Sequence, residues 1–136
     1  MSETREGGCL CGSVRYKVDW PLAALVVCHC THCQKQAGSA FSLVGVAPRG
    51  GLHLTGELST YEDSGTTGQT VYRQFCPRCG SPVLTDTPAA REQGIIFIKA
   101  GTLDSSEGLE PSLHYWCDSA HDWFSIPESV EKLATQ

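Results

Sequence analysis

Cys76-Pro77-Arg78-Cys79-Gly80 is the stretch on which the interpretation of this chain turns. In a C-P-x-C-G turn the proline fixes the bend and the glycine permits close backbone approach, so that N–H groups point at sulfurs able to hold a metal. Such a knuckle supplies two ligands, whereas structural zinc takes four in a tetrahedron. Further out, Cys9-Leu10-Cys11 would complete a four-cysteine site joining the N-terminal segment to the middle of the chain, with Gly7, Gly8 and Gly12 leaving room for backbone to wrap an ion. A third group, Cys28-His29-Cys30-Thr31-His32-Cys33, brings three thiols onto one tight turn. Three protein ligands and an open position is the arrangement of a catalytic zinc, at which a bound water or thiol is acidified or a carbonyl polarised.

Other pairings remain open on spacing alone. A disulfide framework requires an oxidising compartment, and Cys-x-Cys bridges are strained. Cys76 and Cys79 could instead form one ribbon with members of the Cys28, Cys30, Cys33 group, leaving Cys9 and Cys11 as plain thiols. The second site becomes structural if His29, His32 or Cys117 closes it. Cys117 falls in an apparent aromatic strand, where a single thiol reads as a small buried hydrophobe. His53, His114 and His121 carry no spacing signal.

Around these clusters the chain has a β rhythm. Val14, Tyr16 and Val18 alternate with Arg15, Lys17 and Asp19, the period-2 pattern of a half-buried strand. Short β-type runs follow at Leu22 to Val27, Phe41 to Val46, Val71 to Phe75, Ile95 to Ile98 and Leu113 to Trp116, each bounded by turn residues. Two stretches read as helical turns, His32 to Ala37 and Ala89 to Gln93, the latter with Thr87 as N-cap and Pro88 in the first turn. Gly50-Gly51 and Asp63 to Gly68 read as loop tips, and the tail beyond Pro127 has a weak helical register through Val130 and Leu133. The 14 glycines and 7 prolines are spread evenly, so residues 1–136 read as a single domain.

Composition narrows the functional classes. The 136 residues are 40% hydrophobic and 18% charged, which suits a folded domain and not a disordered chain. A net charge of -5 with no basic stripe argues against nucleic acid. No apolar run reaches the roughly 18 residues of a membrane span, and Met1-Ser2-Glu3-Thr4-Arg5 lacks the hydrophobic segment of a secretory signal, so a cytoplasmic location is expected. In that compartment clustered cysteines mean metal more often than disulfide.

The motifs Gly8-Cys9-x-Cys11-Gly12-x-Val14-x-Tyr16, Cys28-His29-Cys30-x-x-Cys33-Gln34-Lys35, Gly38-Ser39-Ala40-Phe41, Phe75-Cys76-x-x-Cys79-Gly80-Ser81-Pro82 and the His114 to Trp123 segment resemble the glutathione-dependent formaldehyde-activating enzyme family, which also includes centromere protein V. The resemblance runs from residue 7 to about 123, leaving 124–136 as a tail. It implies a mainly β, Mss4-like small zinc-binding β-sheet domain with short helical turns. It further implies two zinc ions per chain, a structural one on Cys9, Cys11, Cys76 and Cys79 and a catalytic one on Cys28, Cys30 and Cys33. The implied activity is that of a carbon-sulfur lyase combining glutathione, or a similar small thiol, with formaldehyde or another small aldehyde to give an S-hydroxymethyl adduct. Cysteines committed to zinc are ligands, so the attacking sulfur must belong to the substrate. His29 and His32 are candidates to carry the proton; Lys35 could face carboxylates of glutathione, but a lone lysine reads as a solvated side chain and is not counted among the site residues. The competing expectation is a zinc-stabilised β module that binds a protein partner without catalysis. That module would need only the four-cysteine site, so the further three clustered cysteines favour the enzyme.

Overall fold

Period-2 burial organises most of the described chain, residues 3–65 and 67–135 of the computed structural model, into two sheets. In chain order the strands are β1 (Glu3–Gly8), β2 (Arg15–Trp20), β3 (Ala24–Cys28), β4 (Ser42–Pro48), β5 (Leu52–Thr55), β6 (Ser59–Ser64), β7 (Thr70–Phe75), β8 (Pro82–Asp86), β9 (Ile95–Lys99), β10 (Leu113–Tyr115) and β11 (Glu131–Lys132). Helix α1 spans Thr31–Ala37 and α2 spans Pro88–Gln93. Strands β1, β2 and β5 form one antiparallel sheet, and the other eight lie in the order β11-β10-β3-β4-β9-β8-β7-β6. Strand β10 runs parallel to both β3 and β11, while the other described pairings are antiparallel.

The two faces of the large sheet have different fates. Successive strand residues point to opposite sides. One face carries Ala47, Leu84, Ile96 and Ile98, which pack with Val14, Tyr16 and Val18 of the small sheet's side to form the core. The register pairs Val26 with Val44, Val44 with Lys99, Cys28 with Ser42, Val46 with Phe97, Phe97 with Thr85, and Thr85 with Arg73. These residues occupy the other face, so a row of alternating positions on five neighbouring strands is reserved for something besides the core.

Most expected elements are present with shifted ends. The alternation at 14–18 forms β2, with Val14, Tyr16 and Val18 buried. Thr87 caps α2 by accepting the Ala90 N–H at 3.0 Å. Gly38 closes α1 at φ 64°, a left-handed backbone that glycine adopts without a side-chain clash. Three expectations are corrected. Asp63 and Ser64 belong to β6 and pair with Val71 and Thr70; of the expected 63–68 loop, residue 66 lies outside the described residues. Residues Glu131–Lys132 form a short strand instead of a helical turn, because hydrogen bonds from the Trp116, Cys117 and Asp118 N–H groups to the carbonyls of Thr135, Leu133 and Ala134 draw this segment alongside β10. Cys117 lies beyond the strand in a one-turn 3-10 helix, Cys117–Ser119, after Trp116 turns the backbone at φ 59°. No described helix is long and apolar enough to cross a membrane.

Candidate functional site

The sulfurs of Cys9, Cys11, Cys76 and Cys79 all lie within 4.8 Å of one another, as do those of Cys28, Cys30 and Cys33, and the two groups are separate. Either group could hold a metal ion. The alternative in which the middle cysteines join Cys76 and Cys79 in one ribbon is not the arrangement adopted.

In the four-sulfur cluster the knuckle has the geometry its sequence demands. Gly80 takes φ 79°, and the N–H groups of Arg78 and Cys79 donate to Cys76 Sγ at 3.3 and 3.4 Å. The Val14 N–H donates to Cys9 Sγ at 3.3 Å, so β2 begins where the first ligand pair ends. Ser13 Oγ sits 3.1 Å from Cys11 Sγ and 3.2 Å from Cys76 Sγ, and Ser81 Oγ sits 3.2 Å from Cys79 Sγ. These contacts favour thiolates: the hydroxyl and backbone of Ser81 bring the Cys79 thiol down to about 5. Burial pushes Cys9 up, but hydrogen bonds from Val14 and Ser13 outweigh it and leave the thiol at about 7.

The three-sulfur cluster lies where the site face of the sheet meets α1. Cys28 ends β3, Cys30 caps α1 by accepting the Cys33 N–H at 3.2 Å, and Cys33 follows within the first turn. Hydrogen bonds from Cys28 and Cys30 bring the Cys33 thiol down to about 2 despite burial, with the cations of Arg73 and Lys99 adding to the effect. Bonds with the same two neighbours, Cys30 and Cys33, push Cys28 up.

Around this cluster are groups that sequence spacing did not single out. Arg73, 4% exposed, donates from Nε to Asp63 Oδ2 at 2.8 Å and brings a guanidinium nitrogen to 3.9 Å from Cys33 Sγ. Lys99, 6% exposed, donates from Nζ to the Ser42 hydroxyl; burial pushes its pKa below the usual lysine range. Both face a cavity of about 180 Å³ that the three cysteines also line, walled by Val26, Val44, Val46 and Phe97. A second, more open groove runs past it between His32, Lys35, Tyr61, Asp63 and Arg73. The only trace of Arg73 and Lys99 in the sequence is a charge within one apolar strand run and directly after another, at positions sharing parity with Val71 and Phe97.

The histidines behave differently from one another. His29 is fully buried, with Nε2 2.9 Å from His114 Nδ1 and its ring among His114, Phe41 and Phe124; it does not line the cavity. Burial pushes both His29 and His114 below the usual histidine range. His32 does line the cavity and places Nδ1 2.9 Å from Asp63 Oδ2. Neither histidine, nor Cys117, belongs to the three-sulfur group; the Cys117 thiol donates instead to the His114 carbonyl at 3.5 Å. Gln34 ties α1 to the segment after β10 by donating to the carbonyls of His29 and Ser119.

A two-sheet β fold with one thiol cluster stapling its sheets and another opening on a cavity defines a class of small cysteine-cluster proteins of mainly β architecture. Within that class the chain belongs to the glutathione-dependent formaldehyde-activating enzyme family, whose model matches residues 4–119. A Halomonas elongata protein provisionally named a glutathione-dependent formaldehyde-activating enzyme is 33% identical over 134 residues, covering 93% of this chain and 83% of its own length. A Penicillium rubens protein with the same provisional name is 28% identical over 131 residues, covering 92% of this chain and 66% of its own. The crystal structure of a Rhodobacter sphaeroides protein superimposes with a TM-score of 0.55 at 22% identity over 78% of this chain and 91% of that one, a likeness of fold.

Proposed function

We propose that the chain is a single-domain, zinc-dependent, carbon-sulfur lyase-type enzyme that joins a small thiol such as glutathione to a small aldehyde. The observation that carries this reading is the three-sulfur group lining a cavity that also receives two buried cations. A purely structural site has no need of either. The donor set fits zinc: three cysteine sulfurs spaced for one ion, with a backbone N–H donated to Cys30. Cys28, Cys30 and Cys33 would hold the catalytic ion, and Cys9, Cys11, Cys76 and Cys79 the structural one.

Zinc bound by three thiolates supplies a cation that favours the ionised form of an incoming thiol, more weakly than zinc on three neutral imidazoles because the thiolates already donate charge. The remaining roles fall to the protein. Lys35 and Arg73 in the open groove face the carboxylates of glutathione, and Asp63 holds Arg73 in place for this. The thiol sulfur adds to the carbonyl carbon; the C=O π pair moves to oxygen, and that oxygen takes a proton. Lys99 Nζ, held by Ser42, is the donor within the cavity; the proton released by the thiol passes through solvent to reprotonate Lys99, so the net change is one proton moved from sulfur to oxygen. His29, sealed among aromatic rings, takes no part.

Exchange NMR on the hydroxymethyl signal of a glutathione and formaldehyde mixture tests the reading. The zinc-loaded protein should speed exchange, and Cys30→Ser should abolish the gain without unfolding. Unchanged rates across a panel of thiols and aldehydes would favour the partner-binding module instead.

A further inference from the structure

The cavity is larger and more apolar than a one-carbon aldehyde can use. Its volume is about 180 Å³, and Val26, Val44, Val46, Val71 and Phe97 form its walls. Apolar cavities of about 150 Å³ accommodate a benzene-sized guest, whereas one water takes up about 30 Å³ of liquid, and formaldehyde has only two heavy atoms. Its two cations are already hydrogen-bonded, Arg73 to Asp63 and Lys99 to Ser42. Arg73 is neutralised by Asp63, and Lys99, the cation without a carboxylate partner, is assigned to the reacting oxygen in the step proposed above. The charged ends of a glutathione-like thiol have a better match in the adjoining groove beside Lys35. The ion and the thiol sulfur would take the part lined by Cys28, Cys30 and Cys33, and the part walled by the valines and Phe97 is left to the other reactant.

We infer that the cavity is a subsite for an apolar side group, branched alkyl or aryl and four to six carbons in size, on the carbonyl partner. The protein's preferred aldehydes are then of the 3-methylbutanal or benzaldehyde kind, and formaldehyde is a minimal substrate. This rests on the reaction proposed above. The step is unchanged and balanced: thiol and aldehyde combine to a hemithioacetal, with one S–C bond formed, the C=O π bond lost, and one proton moved from sulfur to oxygen. Filling the walls with hydrophobic side chains contributes affinity of about 0.8 kcal/mol per buried methylene. Four such groups are worth about two powers of ten in kcat/KM.

Two measurements on the zinc-loaded full chain test the inference. In exchange NMR with glutathione, acceleration over the uncatalysed rate should be at least tenfold greater for 3-methylbutanal than for formaldehyde. Val44→Phe, which fills the cavity, should lower that ratio tenfold or more. Phe97→Ala, which enlarges it, should move the preference toward bulkier aldehydes such as 3-phenylpropanal, and keeps the test open if Val44→Phe folds poorly. Independently of catalysis, unreactive benzyl alcohol should show saturation transfer from the wild-type protein and lose it in Val44→Phe. Faster exchange of formaldehyde with no extra gain for 3-methylbutanal, or no benzyl alcohol signal, overturns the subsite. No acceleration with any aldehyde, while benzyl alcohol still binds and Val44→Phe still removes it, overturns the proposed reaction and with it the assignment to a carbonyl partner, leaving only an apolar ligand site.

Discussion

The two sulfur clusters are built from the same donor and are buried to a similar degree, yet they sit in opposite kinds of surroundings. In the first, Cys9 and Cys76 are buried, Cys79 is intermediate and Cys11 is exposed; in the second, Cys30 is buried and Cys28 and Cys33 are intermediate. Exposure therefore does not distinguish them. What differs is sequence separation and neighbourhood. The first joins residues 9–11 to residues 76–79 and is lined with serine hydroxyls and backbone N–H groups, so its partners are local, neutral and complete. The second is contained within six consecutive residues, Cys28 to Cys33, and closes no long loop, but it faces the guanidinium of Arg73 and the ammonium of Lys99. On the function proposed above, the first cluster would hold the fold together and the second, with one ligand fewer, would leave its ion open to substrate.

The most severe test of this contrast is ligand deletion. Cys76→Ser should leave the protein unfolded or insoluble, because a structural zinc contributes on the order of 10 kcal/mol in small domains, at least as much as typical net stability. Cys30→Ser should melt within a few degrees of wild type and lack one of two zincs by mass spectrometry under non-denaturing conditions. Melts in the reverse order would exchange the two labels.

Metal release offers a second test, one that ligand count and burial predict differently. With one ligand fewer, the Cys28, Cys30, Cys33 site should surrender its ion to a chromogenic chelator at least about tenfold faster than the other. The fast phase should be missing in Cys30→Ser. If both ions leave together, the similar burial of the clusters governs access and the count does not.

A smaller effect is expected from the cations. Lys99→Met keeps most of the volume and removes the charge; loss of a charged hydrogen bond worth about 1.5–3 kcal/mol should lower the exchange rate roughly 10- to 100-fold. The same change should leave the metal content of the four-cysteine site intact. Equal loss of both metals would show that Lys99 supports the fold and not the reaction.

The smallest effect concerns Asp63. Burial raises its pKa, but hydrogen bonds from His32 and Arg73 win and hold it below the usual carboxylate range. A carboxylate depressed in the folded state contributes stability that is present above its unfolded value, near 3.9, and lost as pH falls through its folded value. Asp63→Asn should therefore cost about 1 kcal/mol at pH ~7, with the difference from wild type shrinking in urea titrations below pH ~4.

Much of this contrast was legible in the sequence, and the limits have physical causes. Local spacing yields the three cysteine groups, because turns of two to four residues are governed by Pro and Gly at fixed offsets, but which groups join depends on the fold. The strands at 15–20 and 95–99 were visible because one side of each is apolar without interruption. Strand β6 was taken in part for a loop because Tyr61, Glu62 and Ser64 are exposed at the edge of the sheet and show no apolar alternation. Strand β1 was overlooked for a similar reason, since ETREGG carries no hydrophobic side chain to signal burial. Arg73, Lys99 and Asp63 were missed because their roles depend on strand order. Phe97 stands beside both Val46 and Thr85 only once β9 lies between β4 and β8. No local rule predicts that neighbourhood.

The strict division of the large sheet into two faces also says how such a protein can change over time. Val44, Val46 and Phe97 look toward the cavity, while their chain neighbours Ala47, Ile96 and Ile98 look toward the core. Point substitutions in the first set can retune what the protein accepts while the packing that keeps it folded is untouched. A single-residue insertion early in β9 would do the opposite, turning Lys99 toward the core and Ile98 toward the cavity in one event. Lineages that share this sheet should therefore diverge by substitution along these strands and reserve changes of length for the connections between them.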